Sequence, residues 1–404
     1  MKVLVEFFDS CQLHNVIAAI SLHPERVIFI GDSATMETSR REALQRFFRL
    51  RKQKIVIEYI TVQSGSYRDI HEKISSVLKK HTDVCFDVTG GRDLFLLALG
   101  ELSCCQKTPM IRFDVPSGKM IRIKNAEQIP EPTVASLTVR QSIVLNGGEV
   151  IDPQNYLSSE QLTPTFSKEV RSLFQISKQR PKLWNQFVIA LEGLINQTAV
   201  GSDFKVSVKV SSVPEIQYRK LTEYAFLEKL ADAGLILDYC YDGERISFRY
   251  KNEQVHRCMA KSGNILELYS YLLIHEISKE STSVFGDKRV GVPVDWDGVI
   301  EPRYRSGTKN EIDLILTKKT VPVFISCKHG EVLKEALYEL HTVAEHYGGM
   351  YAKKVLITAE LSNIPSKRIS FLERARDMGI EVIYNANRMT EEEFKQKLRK
   401  IGTP

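Results

Sequence analysis

The chain has 404 residues, 43% of them hydrophobic and 26% charged, with a formal net charge of +6. That length supports two or three domains with cores of their own, and the balance is that of an ordinary globular protein. No run of about 18 apolar residues occurs, which excludes a transmembrane helix and a membrane partner of that kind. The opening Met1-Lys2-Val3-Leu4-Val5-Glu6 reads as a buried strand rather than a signal peptide. Seven cysteines without C-x-x-C spacing argue for reduced thiols, a cytoplasmic protein and no zinc site. The mild positive charge permits nucleic-acid binding without requiring it.

Residues 1–128 alternate short apolar runs with helical spacing. Strands are predicted at 3–8, 26–31, 54–61, 84–89 and 110–115, with helices over 36–51 and 67–81. Alternating β and α elements imply a mostly parallel, doubly wound α/β sheet of Rossmann-like type, whose ligands sit at the carboxyl ends of the strands. After the fourth strand comes Thr89-Gly90-Gly91-Arg92, then an apolar helix from about Leu94. Glycines at such a turn let backbone N–H groups approach an anion, and the helix start adds a favourable dipole. Ser10-Cys11-Gln12 and Asp32-Ser33 follow the first two strands and should share that edge. The absence of G-x-G-x-x-G argues against a dinucleotide redox cofactor.

Residues 129–257 show no repeat. Helical patterns cover 166–196, broken at Arg180-Pro181, and 218–233, closing at Gly234. Two short runs then flank Asp242-Gly243, a hairpin signal. A helix followed by a hairpin fits a winged-helix-like module, and it equally fits a connector between the end domains.

Residues 258–404 form a second α/β domain. Helices are expected at 264–279 and 331–347, with strands at 290–294, 311–316, 321–328, 354–358 and 381–384. Thr390 and Glu393 form a capping box that opens a last helix. Two strands here carry the chemistry. Alternation puts Glu311 and Asp313 on one face of the first, and Ser326 and Lys328 on one face of the second. A hairpin through residues 317–320 would gather two carboxylates and an ammonium, which can hold Mg²⁺ or Mn²⁺ beside a scissile phosphate. Asp297 offers a third carboxylate, and Glu267, on the preceding helix, can orient a water. His341, Glu345 and His346 lack H-E-x-x-H order and read as a solvated helix face. No P-loop or G-x-S-x-G is present.

Helix glutamate, Glu311-Ile312-Asp313 strand and Ser326-Cys327-Lys328 strand, in that order, resemble the PD-(D/E)xK nuclease superfamily. The resemblance makes Asp313 the first acid and Lys328 the lysine of a restriction-endonuclease-like domain. Ser326 stands where that superfamily usually has an acid, so the missing carboxylate falls to Glu311 or Asp297, with the Cys327 carbonyl completing the metal shell. Asp87-Val88-Thr89-Gly90-Gly91 resembles the T-G-G signature of CARF domains, the cyclic-oligoadenylate sensors of type III CRISPR systems. Members often continue Thr-Lys, whereas this chain has Arg92-Asp93. Together the parts resemble the CRISPR ancillary nucleases activated by cyclic tetra-adenylate. That resemblance implies a homodimer with the ligand on Ser10, Cys11, Gln12, Asp32, Ser33, Thr89, Gly90, Gly91 and Arg92, and DNA or RNA as substrate. A ligand-responsive winged-helix regulator and a repair or junction nuclease are the alternatives.

Overall fold

The computed structural model describes residues 2–105, 107–133, 135–151, 162–197, 204–259, 264–280, 285–298 and 309–401. The amino-terminal sheet contains β1 (Val3–Phe7), β2 (Arg26–Asp32), β3 (Val56–Val62), β4 (Val84–Asp87), β5 (Met110–Asp114) and β6 (Lys119–Lys124). Its order is β3-β2-β1-β4-β5-β6, with β1 to β5 parallel and β6 returning antiparallel. Strands β1 and β2 are apolar along most of their length because both faces are covered. Helices α1 (Ile17–Leu22) and α2 (Thr38–Leu50) supply one apolar layer, and α3 (Tyr67–Lys80) and α4 (Asp93–Cys105) the other. The order of winding reverses between β1 and β4. The carboxyl ends of those two strands therefore flank a crevice, the place where open α/β sheets bind ligands.

The next stretch departs from the sequence expectation in three ways. Helix α5 (Val139–Leu145) leads into a two-residue strand, β7 (Glu149–Val150), which pairs with the carboxyl-terminal sheet rather than staying in a connector. Helices α6 (Pro164–Ser177) and α7 (Pro181–Gln197) meet at the expected break, yet they share a core with the carboxyl-terminal domain. The single helix expected over 218–233 is two, α8 (Glu215–Thr222) and α9 (Phe226–Asp232). Ala225 between them adopts φ +51°, a left-handed conformation that no α-helix continues through. Strands β9 (Ile236–Tyr241) and β10 (Arg245–Tyr250) form the expected hairpin, and β8 (Lys205–Lys209) pairs with β10. A short α10 (Glu253–Cys258) follows.

The carboxyl-terminal part runs α11 (Asn264–Glu280), β11 (Lys288–Asp295), β12 (Lys309–Lys318), β13 (Val321–Lys328), α12 (Glu335–Gly348), β14 (Lys353–Thr358), α13 (Pro365–Asp377), β15 (Ile380–Ile383) and α14 (Glu391–Lys400). Its sheet, ordered β15-β14-β13-β12-β11-β7, is mixed. The β12–β13 hairpin turns on Lys319-Thr320 alone, with Lys318 paired to Val321 and Lys319 at φ +57°. Thr390 and Glu393 form both bonds of the capping box. Helix α13 escaped the sequence reading because its exposed Ile369 and half-buried Phe371 and Leu372 do not line one helical face.

Arg46, on α2, ties the two ends of the chain together. Its guanidinium donates to the carbonyls of Gly298 and Gly147, both at 2.8 Å. Replacing it by Met leaves two carbonyls without that donor. We expect Arg46→Met to cost about 1–3 kcal/mol, read as a lower urea midpoint at unchanged m-value.

Candidate functional sites

In the carboxyl-terminal sheet the two strands singled out by sequence are neighbours, and they part where the chemistry begins. The backbone ladder of β12 and β13 is paired from Lys318↔Val321 to Leu314↔Ile325. One residue further, Asp313 replaces the ladder with its side chain. Its Oδ2 accepts from the Cys327 N–H at 2.7 Å and from the Ser326 hydroxyl at 3.1 Å. A strand residue's N–H and C=O point to the same side, so the Cys327 carbonyl faces this same gap. Ser326 thus supplies a hydrogen bond that holds Asp313.

Burial pushes the Asp313 carboxyl above the ordinary range. The Lys328 ammonium, the Cys327 N–H and the Ser326 hydroxyl oppose that rise, while Glu339 adds to it. Glu339 lies on α12, and nothing in the sequence marks it, because a single glutamate on a helix shows no partner until the helix packs beside β12 and β13. Glu267 enters from α11, where its charge acts with that of Asp313 on the buried Cys327 thiol, which burial raises most. Glu311, exposed on β12, extends over Gly291 of β11, where a Cβ would stand 3.7 Å from its Oε1. Gly291 itself sits at φ +61°, an irregularity in β11 that a side chain would strain.

Asp297 is not brought to this point. Its carboxyl hydrogen-bonds that of Asp295, whose own pKa is raised by burial and then by this acidic neighbour. Asp295 pairs with Lys309, four residues along β12 from Asp313, roughly 13 Å at about 3.3 Å per residue. That separation leaves Asp297, expected to complete the shell, apart from the group around Asp313 in this structure. Among the described residues no group of three or more His, Cys, Asp or Glu side chains stands close enough to hold a metal ion. What remains are hard oxygen donors, namely the Asp313 carboxyl, Glu311 beside it and the Cys327 carbonyl. That set fits Mg²⁺ or Mn²⁺ held by one or two carboxylates, with water and phosphate in the other positions. The helix residues expected on a solvated face are partly engaged: His341 and the exposed Glu345 pair with Lys354, and the half-buried His346 stacks on Trp296.

The second site lies at the β1–β4 crevice. Asp9 follows β1, and its Oδ1 accepts from the Cys11 N–H at 2.8 Å while Oδ2 accepts from the Gly91 N–H at 3.1 Å. His14 Nδ1 is 3.5 Å from the same Oδ2. Burial opposes both charges, yet their mutual bond prevails, holding Asp9 at about 2 and His14 at about 11. Gly90 is packed so closely that a Cβ would come within 2.9 Å of Asp9 Cβ and 3.2 Å of His14 Cβ. Gly91, at φ +104°, would press a Cβ to 2.8 Å from Phe7. Both glycines are required by the turn.

The other expected ligand residues divide. Asp32, Ser33 and Arg92 line a cavity of about 510 Å³ with Thr61, Ser64 and Lys73. Within it Arg92 bonds Asp32 Oδ2 at 3.0 Å and Thr35 Oγ1 at 2.9 Å. Ser10 is exposed next to Asp9, and Cys11 is half-buried. Gln12, by contrast, is buried, donating to the Arg40 carbonyl and accepting from Asn15. The Thr89 hydroxyl is spent internally, donating to Asp87 Oδ1 at 2.5 Å and accepting from the Phe113 N–H at 2.7 Å. Beneath the turn Asp87 is paired with Glu6 across β1 and β4, and both are buried. Burial raises Asp87 to about 7 against its bonds from Thr89, and raises Glu6 well above the carboxylate range, with Asp87 adding to it.

No protein-family model matches the chain, and no curated protein matches it in sequence. Solved structures do match. The crystal structure of protein VC1899 from Vibrio cholerae aligns with a TM-score of 0.73 at 18% identity, over 99% of this chain and 97% of that one. Can2 from Sulfobacillus thermosulfidooxidans, in complex with cyclic tetra-adenylate, aligns with a TM-score of 0.67 at 18% identity, over 100% of both chains. At this identity the likeness is one of fold, and it runs from end to end.

The Glu6–Asp87 pair has a signature in solution. Folded protein holds protons there that unfolded chain releases near the ordinary carboxylate pKa, so stability falls as pH rises toward about 7. Between about pH 4 and 6, below the range where His14 contributes, the wild-type melting temperature should drop relative to that of Asp87→Asn. Parallel curves for the two proteins would rule out a proton held on Asp87.

Proposed function

We propose that this chain is a nuclease switched on by a cyclic oligoadenylate, cyclic tetra-adenylate in the first instance, acting in type III CRISPR defence. One observation carries the reading. The chain combines a glycine turn at the β1–β4 switch point, its Gly91 N–H held by Asp9, with a buried Asp313 under the charge of Lys328, on a fold shared along its whole length with a protein solved around cyclic tetra-adenylate.

The ligand's phosphates would meet the Gly90–Gly91 turn, with Arg92 and Lys73 as cations and Asp32 and Ser33 as hydrogen-bonding partners for ribose or base edges. A ring of repeating nucleotides is symmetric, so a homodimer placing two such turns about a two-fold axis is the assembly it fits. In the carboxyl-terminal domain, Asp313, Glu311 and the Cys327 carbonyl would hold a divalent cation. When bound, such a cation lowers the pKa of water and polarises the phosphate. Ser326 and the Cys327 N–H keep one Asp313 oxygen fixed as acceptor, which aims the other. The Lys328 ammonium neutralises charge on the phosphate as it is attacked, and Glu267 orients a water. The net charge of +6 favours backbone contacts with little sequence preference on DNA or RNA.

The helices α8 and α9 followed by the β9–β10 hairpin also favour a second reading, a winged-helix regulator that binds duplex DNA. The two readings separate in one assay.

Purified protein with Mn²⁺ should cleave labelled DNA or RNA only when cyclic tetra-adenylate is added, and the rate should fall as salt rises. Asp313→Asn and Lys328→Ala should each lose about 10²-fold or more in kcat. Equal cleavage without ligand would sink the switch, and full activity in both variants would sink the site. Sequence-specific duplex binding with no cleavage would favour the regulator.

A further inference from the structure

Tyr351 of the carboxyl-terminal part contacts His14, which lies behind the glycine turn. Tyr351 closes the single turn of 3₁₀ helix, Gly349–Tyr351, that follows α12, and it packs against the apolar core under α1 and α2. Its hydroxyl lies 2.8 Å from His14 Nε2, with the two rings 5.6 Å apart. The opposite nitrogen of His14 faces Asp9, which receives the Gly91 N–H. A continuous chain of contacts therefore runs from the glycine turn through Asp9 and His14 to Tyr351.

From Tyr351 the path continues along a stiff element. Helix α12 buries Leu337, Leu340, Ala344 and Tyr347 against the sheet that carries β12 and β13. Asn146 holds its last turn by donating to the Tyr347 carbonyl at 3.1 Å. Nine residues before its end at Gly348, about 14 Å at a rise of 1.5 Å per residue, helix α12 presents Glu339, whose charge acts on Asp313.

We infer that His14 and Tyr351 are positioning residues that report the occupancy of the Gly90–Gly91 turn to Asp313 by way of α12. The inference rests on the functional reading above and specifies how the nuclease site is regulated. An anionic ligand at the turn competes with Asp9 for the Gly91 N–H and repels its carboxylate, while attracting the His14 ring. His14 faces Asp9, Cys11 and Tyr351 directly, with Glu6 and Asp87 beneath. It cannot follow the phosphate and keep its present bond to Tyr351 unchanged, because Gly90 leaves no slack between the turn and its Cβ. A shift at Tyr351 moves the end of α12, and the helix carries that shift to Glu339 and hence to the field around Asp313.

The test uses full-length protein with Mn²⁺, labelled oligonucleotide and cyclic tetra-adenylate, comparing wild type, Tyr351→Phe, His14→Gln and the double variant. Phe keeps the ring and its packing, and melting temperature checks that each variant is folded. Tyr351→Phe should leave the ligand-free rate unchanged and lower the ligand-activated kcat about tenfold, with KM for the oligonucleotide unaffected. By linkage, calorimetry should show ligand affinity unchanged or tighter, since the ligand no longer drives the switch, whereas mere structural damage would weaken it. The double variant should be no worse than the worse single one, the mark of residues acting in one path. Wild-type activation in Tyr351→Phe, or additive losses in the double variant, would overturn the relay alone. A wild-type chain that binds no cyclic tetra-adenylate would overturn the functional reading and the relay with it.

Discussion

The constraint on which both sites depend is an unsatisfied backbone N–H where a strand runs out of partners. A buried amide without an acceptor costs as much as a lost hydrogen bond, so a side chain must reach back to meet it. Here carboxylates do so repeatedly. Asp313 takes the N–H of Cys327 where β12 and β13 diverge, and Asp9 takes those of Cys11 and Gly91 after β1. Asp32 meets Thr35, Asp87 meets Thr89, and Asp295 meets Gly298, each just beyond or at the end of its strand.

This device places charge at sheet edges without separate machinery. It also divides the carboxylates by environment. Asp9 is bonded to a cationic partner and stays ionised to low pH, whereas Asp87 is fully desolvated, and its bonds from Thr89 and the more distant charges of His14 and Arg112 do not offset that, so it is raised. Asp313 lies between these cases, desolvated but faced by Lys328. The same residue type therefore serves as a permanent anion, a proton store and a tunable one, according to what packs around it.

Much of this was legible in the sequence because it follows period and punctuation. The buried runs of β1, β2 and β4, the turn at Gly90-Gly91, the neighbouring strands that carry Asp313 and Lys328 and the capping box at Thr390 all rest on local pattern. What escaped depended on distant partners. A two-residue β7 has no period, and only its pairing with β11 makes it a strand. Ala225 gives no sign of a left-handed turn, since alanine is the best of helix formers. Asp297 is adjacent in sequence to a β-strand end, but its choice of Asp295 as partner is set by how that end is buried. His14 and Tyr351 are 337 residues apart, and nothing local marks either.

Ser326 is best understood through the charge already present. A carboxylate at that position would stand beside Asp313, which burial and Glu339 already raise, and one of the two acids would be forced to keep a proton. The hydroxyl instead donates, which favours the ionised form of Asp313 and fixes the direction of its oxygens. The cost is a fork with less negative charge of its own. The balance then falls to Glu311 at the edge of β12, and to Glu267 and Glu339 on helices α11 and α12. Charge supplied from helices is charge that a shift of those helices can add or withdraw. An acid built into β13 would be held by the strand ladder and stay in place in every state. With serine there, part of the field at Asp313 comes from Glu339 on α12, and the relay inferred above would act on that part.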